Sequence, residues 1–267
     1  MVTYVATLDV PRHAVEFLAR PLSAHRQRIG TPKGSRALGL FRQTVLVLRW
    51  FRERGCVHGL AREAGVSQAT GYRYLHEGID VLSGQAPDLH ELLARCRREG
   101  MTHVILDGTL IESDRLAGVR DNGNDLWFSQ KHKAFGGNIQ FLSGPDGTAL
   151  WVSDVEPGTT PDITAARIHA LPALYKAAAD GLPTLADKGY IGAGIGMRIP
   201  VRLPKGKSEQ ALHSDTRMLN MLLRHVRALG ERTAAELKQS TSRSARAGSA
   251  TSPAPPSSSM QSGSDHC

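Results

Sequence analysis

Three acidic side chains have the types and the spacing for metal-dependent phosphoryl transfer. Asp107 and Asp187 each directly follow a short apolar run, and Glu231 lies within a long amphipathic pattern. Acids at the ends of adjacent strands, joined by one from a crossing helix, can surround two divalent ions, and Mg²⁺ prefers such oxygen ligands. Two ions can activate the attacking oxygen and neutralise the leaving one. Each acid alone is more typical of a turn, a cap or a surface ion pair, so only the set indicates function.

Charge and composition narrow the class of protein. The chain has 267 residues, a net charge of +8 and 40% hydrophobic residues, enough to fill a core. Basic residues are in excess over 1–100 and 201–267, whereas acidic residues are in excess over 101–200. An acidic centre between basic flanks suits a nuclease that binds cations and phosphates. The sequence has no long apolar run, no signal peptide and no clustered cysteines, so we expect a cytoplasmic protein without membrane contact.

The organisation of the chain predicts a small helical domain followed by a larger mixed domain. Residues 1–36 contain three prolines and scattered arginines, and we predict a basic, loosely packed arm there. Residues 37–100 read as successive helices, and residues 101–238 as strands and helices. The strands are predicted near 102–106, 137–142, 149–155, 182–186 and 199–203, and the helices at 160–180 and 215–238. This pattern indicates a mixed α/β domain of about five strands.

The helical domain has the spacing of a helix-turn-helix. Ala61 falls where two helices need a small residue, Gly65 supplies the turn, and Ser67 is a typical N-cap. The front of the last helix would then face DNA bases or phosphates. The residues placed there are Ser67, Gln68, Thr70, Tyr72 and Arg73. An ordinary three-helix bundle remains the alternative.

Three sequence blocks together resemble the signature of bacterial insertion-sequence transposases of the DDE superfamily. The blocks are Leu106-Asp107-Gly108-Thr109, Ala186-Asp187-Lys188-Gly189-Tyr190, and Arg227 with Glu231 four positions later and Lys238 seven beyond that. The resemblance covers about residues 38–238. It implies an RNase H-like catalytic domain behind a helix-turn-helix, with the three acids as ligands of two Mg²⁺ ions, or Mn²⁺ in their place. It also implies that Arg227 and Lys238 contact DNA phosphates near the transposon end.

The function implied by this resemblance is that of a DNA transposase. Such an enzyme cuts double-stranded DNA at terminal inverted repeats, with water as the first nucleophile, and joins the freed 3′-OH to target DNA. Pairing two DNA ends implies a homodimer on DNA, in the bacterial cytoplasm and associated with the nucleoid. Two alternatives stay open, namely a catalytically inactive DNA-binding protein derived from a transposase and a generic nuclease of the same fold.

Several residues are left without a settled role. Glu236 rivals Glu231 on the same helix, although the spacing to Lys238 favours Glu231. Arg224 stands where related enzymes often have tyrosine. His132, in the basic run Gln130-Lys131-His132-Lys133, is assigned equally well to DNA contact and to a solvated turn.

Residues 239–267 depart from the composition of the rest of the chain. They are rich in Ser, Ala and Pro and contain no large aliphatic or aromatic side chain, so a disordered tail is predicted. We hypothesise that a shifted reading frame replaced a C-terminal apolar segment, which would impair the activity of this chain.

Overall fold

The computed structural model describes residues 10–53, 56–201, 206 and 208–248. Five helices come first: α1 (Arg12–Arg28), α2 (Leu40–Glu53), α3 (Val57–Glu63), α4 (Gln68–Ser83) and α5 (Leu89–Arg98). The strands are β1 (Val104–Glu112), β2 (Phe128–Ser129), β3 (Ala134–Ser143), β4 (Ala149–Val152), β5 (Glu156–Pro157), β6 (Thr184–Ala186) and β7 (Met197–Arg198). The remaining helices are α6 (Asp162–His169), α7 (Leu171–Ala179) and α8 (Ser214–Gly248). Within these described ranges, no helix is both long and apolar enough to cross a membrane.

Helix α1 corrects the prediction of a loosely packed arm at 1–36. Val15 and Leu22 of this helix are buried, and the Arg26 guanidinium donates to the Leu38 carbonyl at 3.1 Å and to Gln43 Oε1 at 2.6 Å. These contacts pin α1 against α2, and the helix continues through Pro21. The prolines were misleading because tertiary packing can outweigh the loss of one helical hydrogen bond. Residues 1–9 of the predicted arm lie outside the described residues.

Helices α2 to α4 share one apolar core, and local signals set their ends. Ser67 caps α4 as predicted, since its side chain accepts the Thr70 N–H. Asp88 caps α5 in the same way, accepting the N–H groups of His90 and Glu91. The buried core of the α2–α4 group consists of Leu38, Leu46, Val47, Trp50, Val57, Leu60, Tyr74 and Leu75.

The sheet is mixed, as the sequence predicts. Its central order is β3-β1-β6-β7, with β2, β4 and β5 also pairing with β3. Strand β3 runs antiparallel to β1, whereas β6 and β7 run parallel on the other side. An antiparallel hairpin followed by parallel strands, with helices packed on it, agrees with the expected RNase H-like arrangement in a mixed α/β class.

Several element boundaries differ from the prediction. The first strand is longer than expected, so Asp107 lies within β1 and not at its end. The helix expected over 160–180 is divided at Ala170, because Pro172 in the following turn cannot continue the helical hydrogen bonds. The strand expected at 199–203 is replaced by the shorter β7 two residues earlier, and 202–205 lie outside the described residues.

Helix α8 is longer and less buried than predicted. It continues to Gly248, so residues 239–248 of the predicted disordered tail are helical, while 249–267 lie outside the described residues. Extending an existing helix adds one hydrogen bond per ordered residue, which explains how a segment without large apolar side chains can be helical. Leu223 is buried, but Met218, Leu219 and Leu222 are 62%, 42% and 54% exposed, so the expected apolar face is only partly covered.

Candidate active site

Asp107 is held on the central strand with its side chain towards α8. A Cβ built on Gly230 of α8 would lie 3.7 Å from Asp107 Oδ2 and 3.5 Å from Ile105 Cγ2. Ile105 and Asp107 are two residues apart, so their side chains lie on the same face of β1. The other carboxylate oxygen, Oδ1, accepts the Gly108 N–H at 2.8 Å. A small side chain at position 230 would thus make ordinary van der Waals contact with this face of β1, which shows that α8 passes directly over Asp107.

Gly108 has closer side-chain neighbours than Gly230. A Cβ at this position would meet Asp162 Oδ1 and Gln140 Nε2, each at 2.8 Å. Gly108 faces away from α8, so Asp162 approaches β1 from the opposite side to Gly230. The Asp-Gly pair of the first block therefore lets one carboxylate point to each face of the same strand.

Asp187 is brought beside Asp107 by the parallel pairing of β1 and β6. Leu106 pairs with Ala186, so the two aspartates occupy the next position on neighbouring strands. Asp187 Oδ1 accepts the Gly189 N–H at 2.7 Å and caps the short 3-10 turn Lys188–Tyr190. This turn fixes the carboxylate at the end of its strand.

Tyr190 anchors the second block in the core. Its side chain is fully buried, and its hydroxyl donates to Gln140 Oε1 at 2.6 Å. Burial, followed by the negative charges of Asp162, Asp107 and Asp187, raises the pKa of Tyr190 well above its usual value of 10.0. The phenol therefore stays neutral and keeps its hydrogen bond to Gln140.

Glu231 lies on a stretch of α8 that is fixed on both sides. The buried Thr233 hydroxyl donates to the Gly147 carbonyl at 2.5 Å, which ties α8 to the β3–β4 turn. About three turns before Glu231, the buried Asn220 exchanges two hydrogen bonds with the Val201 backbone, at 2.8 and 3.1 Å. Glu231 itself is exposed and directly follows Gly230, the residue that contacts Asp107.

A cavity of about 150 Å³ opens between the two aspartates and α8. Asp107, Asp187, Asn220, Arg224 and Gly230 are among its lining residues. Carboxylate oxygens are the ligands that hard divalent ions prefer, so the donor set fits Mg²⁺ or Mn²⁺. In the described part of the chain, no three such side chains already stand in a metal-binding group. Two fixed aspartates and an exposed glutamate on the adjoining helix therefore describe a site that an ion would have to complete.

The predicted phosphate contacts have mixed outcomes. Lys238 is exposed on α8, and its charge reaches His132 on the β2–β3 turn. Burial first, and then the charges of Lys131 and Lys238, hold the pKa of His132 below its usual value. The side chain of Arg227 lies outside the described residues. Glu236, the rival of Glu231, is exposed about one and a half turns further along α8, and neither glutamate lines the cavity between the aspartates.

The predicted DNA-reading residues form a separate group on α4. Ser67, Gln68 and Arg73 are exposed, whereas Thr70 and Tyr72 are half-buried. The Arg73 guanidinium donates to Thr70 Oγ1 at 3.0 Å, so it is directed along the front of the helix. None of the five lines the cavity between the aspartates.

Sequence reasoning missed two residues beside the acids. Lys131 Nζ and Asp162 Oδ2 form an ion pair at 2.8 Å, although the two residues are distant in sequence. Burial alone would lower the pKa of Lys131, but hydrogen bonding and charge from Asp162, then Asp187 and Asp107, raise it. The available signals were an acid at the start of a helix and a lysine in a basic turn, and both are common on surfaces.

The second half of the chain matches a known protein family. Residues 106–242, just over half of the sequence, match the DDE superfamily endonuclease family, and the chain belongs to that family. The matched range contains Asp107, Asp187 and Glu231. Nucleases of this superfamily use divalent metal ions. A search of curated proteins finds no significant match.

Solved structures with some similarity are complexes of Mos1 transposase. The pre-cleavage Mos1 transpososome is 11% identical, with 87% of this chain and 98% of that chain covered and a TM-score of 0.22. The paired-end complex with the left transposon end is 16% identical, with 89% and 95% covered and a TM-score of 0.21.

Proposed function

We propose that this protein is a DNA transposase that cuts at the inverted-repeat ends of its element and transfers the cut strand to target DNA. The observation that carries the proposal is the placement of Asp107 and Asp187 at equivalent positions on paired parallel strands. Gly230, directly before Glu231, packs against the first of them. Family membership supports an endonuclease, and the basic flanks of the chain suit a DNA substrate.

The proposed ligands are Asp107, Asp187 and Glu231, which would hold two divalent ions, Mg²⁺ or Mn²⁺. Such ions, when bound, activate the attacking oxygen and neutralise the leaving oxygen of an in-line phosphoryl transfer. Water is the nucleophile of the first step and the freed 3′-OH that of the second. The strand pairing and the capped turn after Asp187 keep two of the carboxylates in place, so little reorganisation is needed there. Arg227 and Lys238 are the proposed phosphate contacts on α8.

We assign DNA recognition to the helices of 37–100 and catalysis to 101–238. In the first region, a Cβ on Gly71 would lie only 2.6 Å from the Ala61 Cβ, so α3 and α4 cross at very close range. Gly65 has a φ of +71° in the turn between them. Close helix crossing after a glycine turn supports a helix-turn-helix that presents Ser67, Gln68, Thr70, Tyr72 and Arg73 to DNA. Pairing of two ends would require a homodimer on DNA.

Asp107→Ala tests the catalytic assignment. With DNA that carries the inverted repeats flanking the gene, and with Mg²⁺ or Mn²⁺, this variant should lose cleavage and keep DNA binding. Asp114→Ala is the matched control, because Asp114 is an exposed acid after the same strand and lies outside the cavity. Cleavage by Asp107→Ala at the wild-type rate would refute the assignment.

The same assay separates the alternatives. A wild-type chain that binds the ends and never cuts them would be a DNA-binding derivative of a transposase. Nicking without preference for the ends would instead identify a generic nuclease.

A further inference from the structure

The turn between β2 and β3 carries three basic residues in succession and is held in a defined shape. It spans 130–133, and the Lys133 N–H donates to the Ser129 carbonyl at 2.8 Å. Lys133 has a φ of +55°, a left-handed conformation that turns the chain sharply. The Lys133 ammonium donates to Gln130 Oε1 at 3.1 Å, within the turn itself. Lys131 is directed elsewhere.

Lys131 is fixed by an acid that is itself fixed. Its ammonium lies 2.8 Å from Asp162 Oδ2, and the side chain of Asp162 is only 17% exposed. The Asn138 amide, buried on β3, donates to the other oxygen of Asp162 at 2.9 Å. Most surface ion pairs are loose because both side chains are free to move. Here one partner is immobilised, so the lysine is held at a defined place.

That place is across β1 from Asp107, yet near enough for the charges of Asp187 and Asp107 to raise the pKa of Lys131. Asp162 lies against Gly108, the neighbour of Asp107, and a cavity of about 450 Å³ is lined by Lys131, Asp162 and Gly189 of the second block. Arg120 also lines this cavity, so two cationic side chains face it together with Asp162 and neutral polar groups such as Ser129 and Thr160. Two cations in a concave, polar site near paired carboxylates have the chemistry to bind a phosphodiester.

We propose that Lys131 binds a phosphate of the DNA strand that is cut, and that Asp162 is the positioning residue that holds Lys131 there. The proposal rests on the proposed function, since it places the phosphate at the Asp107–Asp187 site. It also has a consequence for the ions. A fixed positive charge near these acids competes with divalent cations, so its removal should tighten metal binding while it weakens catalysis.

Lys131→Met is the central variant, and DNA binding without metal is its first readout. If Lys131 contacts a phosphate, the slope of log K against log salt should decrease by about 0.9. Lys131→Arg should restore the slope, because the charge is retained. Asp162→Asn should keep the slope but lower end cleavage, since the lysine keeps its charge and loses its fixed position.

Metal affinity and cleavage are the second and third readouts. We expect Lys131→Met to bind Mn²⁺ about 2–10-fold more tightly than wild type, in titrations without DNA. End cleavage should fall by about 10–100-fold. Lys176→Met is the matched control, because Lys176 forms an exposed ion pair with Asp180 at 3.1 Å and lines neither cavity beside the acids.

The outcomes distinguish this proposal from the proposed function. If Lys131→Met changes neither the salt slope nor Mn²⁺ affinity relative to Lys176→Met, the proposal is wrong even when the wild type cleaves. If the wild type binds DNA without cutting it, the slope and the metal titration still decide the role of Lys131. Should Lys131→Met fail to fold, Lys131→Gln and Lys131→Arg carry the same comparison.

Discussion

Thr233→Val tests whether the contact between α8 and the β3–β4 turn positions Glu231. The change keeps the size and the β-branch of the side chain but removes the hydroxyl that donates to the Gly147 carbonyl at 2.5 Å. Thr233 is fully buried, so water cannot easily replace the lost donor. The loss of this hydrogen bond to the half-buried Gly147 carbonyl costs about 1–2 kcal/mol. For a protein of this size, that cost lowers the melting temperature by about 2–8 °C.

The effect on cleavage should exceed the effect on folding. Glu231 lies half a helical turn before Thr233, and a misplacement of about 1 Å at a catalytic group can cost about 100-fold in rate. We therefore expect Thr233→Val to stay folded at 25 °C and to cut DNA ends about 10–100-fold more slowly. The assays are a thermal melt and end cleavage under single-turnover conditions.

Thr148→Val is the control for this prediction. Thr148 lies on the same turn, but its hydroxyl donates to the exposed Asp146 at 2.7 Å. Its loss should change stability by less than about 0.5 kcal/mol and leave cleavage unchanged. A Thr233→Val protein that melts lower yet cleaves normally would show that the contact stabilises α8 without positioning Glu231. Wild-type values in both assays would refute the reasoning altogether.

Two further predictions concern the helical region and the basic turn. Gly71→Ala should destabilise the protein by about 1–3 kcal/mol and weaken DNA binding, because the new methyl would lie 2.6 Å from the Ala61 Cβ. Gly59→Ala on α3 is the control, since no atom lies within 4 Å of its added methyl. In thermal melts this control should be neutral or stabilising. His132 should titrate below about 6.5 in an NMR experiment, since burial and then Lys131 and Lys238 lower its pKa. The unfolded chain binds a proton at His132 more readily than the folded chain, so His132 reduces stability as the pH falls below about 6.5. Lys131→Met should raise the pKa of His132, and an unchanged pKa would contradict the influence of Lys131 on it.

The features that sequence predicts well are those set by local chemistry. Ser67 caps its helix where the pattern placed it, because a side-chain oxygen three residues before an orphan N–H acts locally. The apolar runs before Asp107 and Asp187 form neighbouring parallel strands. Their apolar character indicated buried strands, whereas the order of the strands in the sheet was not predicted.

The features that sequence missed depend on contacts between distant residues. Helix α1 is stabilised by Arg26, whose partners Leu38 and Gln43 lie in the next helical segment. The Lys131–Asp162 pair forms because β3 and its neighbours place the basic turn beside the start of α6. No local pattern distinguishes such a lysine from one on a solvated turn. The Lys131–Asp162 ion pair forms only after the sheet has brought the two segments together.

The three acids differ in how firmly the fold holds them, and this difference determines how each should respond to mutation. Asp107 and Asp187 are fixed by strand pairing and by backbone N–H groups at 2.8 and 2.7 Å. Glu231 depends on where α8 lies, which is set by Thr233 and Asn220 at points on either side of it. Changes at those two anchors act on one carboxylate and spare the other two. A site built in this way keeps its two aspartates in place while the position of α8 adjusts the proposed third ligand.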